Sequence, residues 1–212
     1  MEAPLRDWLR RLIAVFLSVA IILLLLQVAK VNGNTDTDAL MTLKIAMSYP
    51  NQCLKDWDSS LVDPCTWLRI TCNSDNRVIR VDVGGCGLSG KLPSGLAGLD
   101  QVQYLNLYGN KIWESIPVGY GHGFKNLKAL DLSSNSLQGI IPASLGKLPS
   151  IEFLRLEHNQ LGGYIPRDLG LIPTLKLLNI SFNKLCGDVP PEVAHIPGAD
   201  WSNNPGIGEP CQ

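Results

Sequence analysis

The sequence predicts an α/β solenoid: five coils stacked at a repeat of 24 residues, closed on the N-terminal side by a helical, disulfide-bonded cap. Three observations predict it. The phrases VIRVDVGGC, VQYLNLYGN, LKALDLSSN, IEFLRLEHN and LKLLNISFN begin at Val78, Val102, Leu127, Ile151 and Leu175, at intervals of 24, 25, 24 and 24. Each is followed two positions on by an aliphatic residue (Leu88, Ile112, Leu137, Leu161, Leu185) and then by an aliphatic-proline pair, from Leu92-Pro93 to Val189-Pro190. Ahead of the first phrase lies a short apolar helical pattern with two tryptophans and closely spaced cysteines. The expected layout is a leader over 1–33, a cap over 34–77, five repeats over 78–197 and a C-terminal cap tail over 198–212.

The leader comes first. Arg6, Arg10 and Arg11 precede an apolar run from Leu12 to Ala29 that only Ser18 and Gln27 interrupt. With the small residues at Val31-Asn32-Gly33 this reads as a secretory signal cut after Gly33. The run of 18 residues is also just long enough to span a bilayer, so a retained anchor at the plasma membrane surface is the alternative. Either way the remainder is expected to be extracellular. Losing residues 1–33 leaves 14 basic against 17 acidic groups, net −3, which gives no reason to expect a nucleic-acid partner.

In the cap, Thr37 or Asp38 is expected to start a short helix whose Leu40, Leu43 and Met47 form an apolar stripe. Cys65 and Cys72, with six residues between them, can close a short loop, and Trp57 and Trp67 are expected to cover the open end of coil one.

The coils follow the pattern L-x-x-L-x-L-x-x-N/C-x-L, the leucine-rich repeat. Alternation sends Leu154 and Leu156 of FLRLEHN to one face and Phe153, Arg155 and Glu157 to the other. The inward aliphatics stack on neighbouring coils, since one coil cannot bury them alone. The asparagines Asn110, Asn135, Asn159 and Asn183 turn inward and satisfy backbone groups at the turn, and Cys86 takes that place in coil one. Gly90, Gly139, Gly163 and Gly187 recur four residues later, where coil two has Glu114. Coil two is also one residue longer, through VGYGHGF, so an irregular convex side is expected there. Gly119, Gly121 and Gly123 read as a loop; a phosphate-binding turn would need a strand-to-helix context. His122, His158 and His195 lack metal-ligand spacing, and no nucleophile or paired-carboxylate pattern occurs, so neither metal, cofactor nor catalysis is expected.

At the far end a Cys186–Cys211 bond would fold the tail over the last coil. Cys53 and Cys86 remain, either as a pair or with Cys86 a buried free thiol. Asn179-Ile180-Ser181 is the one N-x-S/T sequon, on the outward strand face, where a glycan would cover the last coil.

DALMTL, LKDWDSSLVDPCTWLRITCN and NRVIRVDV, running into coils with G-x-I-P, are similar to plant leucine-rich repeat proteins. More narrowly they resemble the ectodomains of the somatic embryogenesis receptor kinases, while the tail looks like the short secreted relatives without a kinase. The resemblance implies plant-type coils and a binding role in signalling or defence, with receptor-kinase ectodomains as partners and a monomer when free. By that family's motif Arg80, Asp82, Tyr104, Tyr108, Phe153 and Arg155 are the expected partner-binding residues. The family's Phe-His after the cap tryptophan is here Leu68-Arg69, and a family tyrosine in coil three is Ser133. Exposed aromatics grouped on one face with an arginine have the composition of interface anchors. The leading expectation is therefore a secreted scaffold or decoy co-receptor; the alternative is an inhibitor of secreted cell-wall-degrading enzymes.

Overall fold

The computed structural model describes residues 15–18, 35–60 and 63–211. Two units are distinct, Met1–Thr35 and Asp36–Gln212. In the first, residues 15–18 form a helical turn in which the Ser18 hydroxyl donates to the Val15 carbonyl at 2.8 Å. The expected signal sequence and its cleavage site otherwise lie outside the described residues. No helix among the described residues is long and apolar enough to cross a membrane.

The second unit is the solenoid. Its main sheet has seven strands. Five parallel strands come from the repeats: Val78–Asp82, Tyr104–Asn106, Ala129–Asp131, Phe153–Arg155 and Leu177–Asn179. Ile70–Cys72 of the cap adds an antiparallel strand on one edge. On the other edge Gly198–Asp200 pairs in parallel with Leu177–Asn179. The tail is thus more regular than its sequence suggests: it supplies a sixth, abbreviated coil.

The inward aliphatics of every repeat, including Leu88, Ile112, Leu137, Leu161 and Leu185, are fully buried in one continuous core. Each such leucine contributes roughly 1.5–3 kcal/mol by leaving water. The asparagine ladder lies beside this core. The Asn159 carboxamide oxygen accepts from Leu137 N at 2.9 Å, and its Nδ2 donates to Leu132 O at 2.9 Å and Leu156 O at 3.1 Å. Each ladder residue therefore bonds both its own turn and the preceding coil. Asn110, Asn135 and Asn183 repeat the pattern, and Asn204 carries it into the sixth coil by accepting from Leu185 N and donating to Ile180 O.

Coil one lacks the amide. There Cys86 is disulfide-bonded to Cys53, so the alternative of a free thiol at Cys86 is overturned. Cys65–Cys72 and Cys186–Cys211 are the other two bonds. The cap helix runs over Thr35–Ala46, which corrects the expected start: Thr37 and Asp38 lie inside it. Met47 has left the helix and pairs with Gly90 in an antiparallel bridge, still buried. Trp57 and Trp67 stack with centroids 5.6 Å apart and are both buried over coil one. Asp36, in the first turn, is fully buried and accepts from Arg77 Nε (3.0 Å), Arg77 Nη2 (2.9 Å) and Val78 N (2.8 Å). Arg77 also reaches Asp100 at 2.6 Å. The bond to Asp36 raises the Arg77 pKa above its usual value.

Coils one, three and four place short 3₁₀ helices on the convex side, at Ser94–Gly98, Ala143–Lys147 and Arg167–Leu171. Coil two instead has one α-helical turn, Tyr120–Gly123, so the glycine triplet is not an open loop. Tyr120 is fully buried and packs edge-on against Phe124 at 4.9 Å. Glu114 adopts φ +74°, the left-handed conformation that Gly139, Gly163 and Gly187 adopt at the same repeat position. In coils four and five the preceding coil's side chain lies over the glycine: a Cβ on Gly163 would sit 2.9 Å from Ile140, and one on Gly187 would sit 2.5 Å from Tyr164. At Glu114 the overlying residue is Lys91, which pairs with the carboxylate at 3.2 Å and lies over the Trp113 ring.

Candidate functional site

Parallel register converts the outward strand positions into rows that cross the sheet. Arg80, Tyr104, Ala129, Phe153 and Leu177 are consecutive partners in the first row, and Asp82, Asn106, Asp131, Arg155 and Asn179 in the second. In the first row Ala129 stands between two aromatic residues, so the row has a notch. That notch is a hollow of about 220 Å³, lined by Arg80, Tyr104, Asn106, Ala129, Asp131, Phe153 and Arg155 together with backbone of the buried leucines. Its size suits a single side chain of a partner rather than a free metabolite, whose pockets run to roughly 300–1,000 Å³.

The walls differ in their contacts and charge. The Arg80 guanidinium lies over the Tyr104 ring at 4.1 Å, which fixes both groups. Phe153 is 39% exposed although it is a phenylalanine in the middle of a sheet. Arg155 lies 3.8 Å from the Glu157 carboxylate, a loose pairing that leaves the guanidinium available. Glu157 is largely covered, and its second oxygen has no hydrogen-bond partner among the described residues. Burial, aided by the nearby Asp131 charge, pushes its carboxyl above the usual range against the opposing pull of Arg155 and His158. Asp131 is tied by the Ser133 backbone N–H and hydroxyl.

Of the six expected partner-binding residues, Arg80, Tyr104, Phe153 and Arg155 line one hollow. Tyr108 stands apart: its ring covers Gly84, where a Cβ would sit 2.4 Å away, and it is 47% exposed. The Asp82 carboxylate accepts from Asn106 Nδ2 at 3.0 Å, so it braces the sheet outside the hollow. Ala129 and Asn106 belong to the hollow without having been singled out from sequence. The signal for Ala129 was its small size at the position where the aligned phrases carry Arg80, Tyr104 and Phe153.

A second hollow, about 730 Å³, opens where the cap meets coil one, between Asn51, Gln52, Lys55, Asp56, Leu68, Arg69 and the Cys53–Cys86 bond. Leu68 and Arg69 form part of its wall. Leu68 is 64% exposed, and the Asp56 carboxylate holds its backbone N–H.

Comparison with known proteins agrees with this architecture. Residues 33–73 match the leucine rich repeat N-terminal domain, and residues 102–161 and 174–196 match leucine rich repeat families. A chain of the BIR3–SERK2 complex from Arabidopsis thaliana is 32% identical with a TM-score of 0.75, over 82% of this chain and 96% of that one. The BIR2 ectodomain from the same plant is 31% identical with a TM-score of 0.77, over 81% of this chain and 93% of that one. Among curated proteins, leucine-rich repeat protein 1 of Arabidopsis thaliana is 49% identical over 78 residues, 37% of this chain and 36% of that protein. The matched part thus spans little more than a third of that curated relative's length. A solenoid with this cap, this ladder and these relatives belongs to the plant leucine-rich repeat proteins.

Proposed function

We propose that the chain is an extracellular protein-binding module whose concave face engages the ectodomain of a receptor kinase, acting as a scaffold or as a decoy for a co-receptor. The observation that carries this reading is the first row of the sheet: two aromatic walls around the Ala129 notch, flanked by Arg80 and Arg155. Aromatic and arginine anchors set around a pocket are the composition of binding hot spots. Kinship with a chain of the BIR3–SERK2 complex supports the class of partner. Three disulfides support an oxidising, extracellular setting. The fold is that of a binding module, and a signalling role would come from which ectodomains it brings together or keeps apart.

The test is a binding survey of the secreted chain against receptor-kinase ectodomains, alone and with their ligands. Tyr104→Ala and Phe153→Ala each lower affinity at least tenfold, about 1.4 kcal/mol or more. Glu152→Ala, which removes an exposed carboxylate paired with Lys176, leaves affinity unchanged. Full ectodomain binding by both aromatic variants would remove this reading.

A further inference from the structure

The residue before each ladder position is left-handed throughout: Gly85, Gly109, Ser134, His158, Phe182 and Asn203 have φ of 65°, 62°, 53°, 54°, 52° and 57°. This conformation suits glycine, asparagine, aspartate and histidine and strains bulkier side chains such as phenylalanine. Coils four and five place rings there. His158 and Phe182 stack with centroids 4.2 Å apart and planes at 12°, and Phe182 remains 46% exposed. Core packing does not account for an exposed aromatic pair held in a strained turn.

Three residues before Phe182 is Asn179 of the sequon. Its carboxamide oxygen accepts from the Ser181 backbone N–H (3.1 Å) and hydroxyl (2.7 Å), and Ser181 is buried. Its Nδ2 makes no hydrogen bond among the described residues, whereas Nδ2 of Asn106, at the same place in coil two, is spent on Asp82. The nitrogen that would bear a sugar is therefore unengaged while the opposite end of the amide is fixed.

We propose that Asn179 carries an N-linked glycan and that its core N-acetylglucosamine units rest on the Phe182–His158 pair. Three residues of extended chain span roughly 10 Å, within reach of the first two sugars. The apolar C–H face of a pyranose fits the electron-rich face of an aromatic ring. The glycan explains why aromatic residues stand in a turn that favours glycine, and why they stand beside the sequon. It covers the coil-five end of the sheet and leaves the Ala129 hollow open. The inference needs only passage through the secretory route, so it survives or fails independently of the receptor reading.

The experiment is secretion of the full chain from plant cells, with intact mass before and after a peptide N-glycosidase, and thermal midpoints of variants. Asn179→Asp removes the sequon and keeps an acceptor for Ser181, as Asp131 and Asp200 accept from Ser133 and Ser202; its carboxylate lies opposite Asp200 on the next strand, a cost common to both backgrounds. The native chain carries one glycan that Asn179→Asp lacks. Asn179→Asp lowers the midpoint by about 2–4 °C more in the native background than in a Phe182→Ser background. A secreted chain without glycan overturns the proposal, and so does an equal drop in both backgrounds.

Discussion

The two ends of the stack solve one problem in different ways. Both must close a core that five coils leave open. The N-terminal end abandons the repeat: a helix, a stacked tryptophan pair, the buried Asp36–Arg77 contact and the Cys53–Cys86 bond replace what a preceding coil would supply. The C-terminal end extends the repeat by half a coil, with Asn204 on the ladder and Gly198–Asp200 on the sheet, and ties down the tail with Cys186–Cys211. The N-terminal solution depends on single irreplaceable side chains. The C-terminal one spreads its stability over interactions of the kind every coil makes.

The comparison is broken most severely at Asp36. Asp36→Ala strands Val78 N and removes the buried acceptor of Arg77, which stays part-exposed and paired with Asp100, and destabilises by about 3 kcal/mol. Chemical denaturation measures this, and no single polar substitution at the C-terminal end matches it. Next are the ladder amides. Asn159→Ala strands Leu137 N inside the stack and leaves Leu132 O with the Asn135 amide as its one side-chain donor, and costs about 2 kcal/mol. Asn204→Ala makes the same loss in the last half-coil, where water relieves part of it, and costs about 1–2 kcal/mol. Equal effects at the two asparagines would mean that the tail is as integral as an inner coil.

A fourth substitution imposes the C-terminal rule on the N-terminal half. Glu114→Gly relieves a left-handed non-glycine residue but forfeits the exposed pair with Lys91. Strain relief of about 1 kcal/mol exceeds the few tenths such a pair supplies, so the thermal midpoint rises. The smallest effect lies between the ends, at Glu157. Its carboxyl is raised in the folded chain, so the folded state holds this proton more tightly than the unfolded one. The associated stability is present below the ordinary glutamate pKa and is lost as pH rises through the raised value. Glu157→Gln therefore flattens the pH dependence of unfolding on that interval and raises stability at neutral pH. A steeper profile in the variant would contradict the assignment of burial as the main cause.

The repeat was legible because every coil needs the same side chains at the same offsets: Leu154, Leu156 and Asn159 recur in kind every 24 or 25 residues. The sixth coil was harder to see, since Asn204 follows Asn183 by 21 residues and Ala199 and Trp201 stand where leucine or isoleucine stood before. From sequence the helix starts at Thr37 or Asp38, which gives Asp36 no role. Its partner Arg77 is 41 residues away, and nothing local marks the pair as buried. Of the candidate surface, sequence alternation separated Tyr104, Phe153 and Arg155 from the core. It did not reveal that Asp82 would be spent on Asn106 or that Tyr108 would lie over Gly84.

By itself the sequence determined the coil, because inward aliphatics and ladder asparagines are local demands of a chain that must bury its own turn against a copy of itself. Tertiary structure alone decided which outward residues meet. Strand register set Tyr104, Ala129 and Phe153 side by side, and the closing of the cap joined Cys53 to Cys86 and Asp36 to Arg77. Those contacts link residues far apart in the chain, and their energies exist only once the coils are stacked.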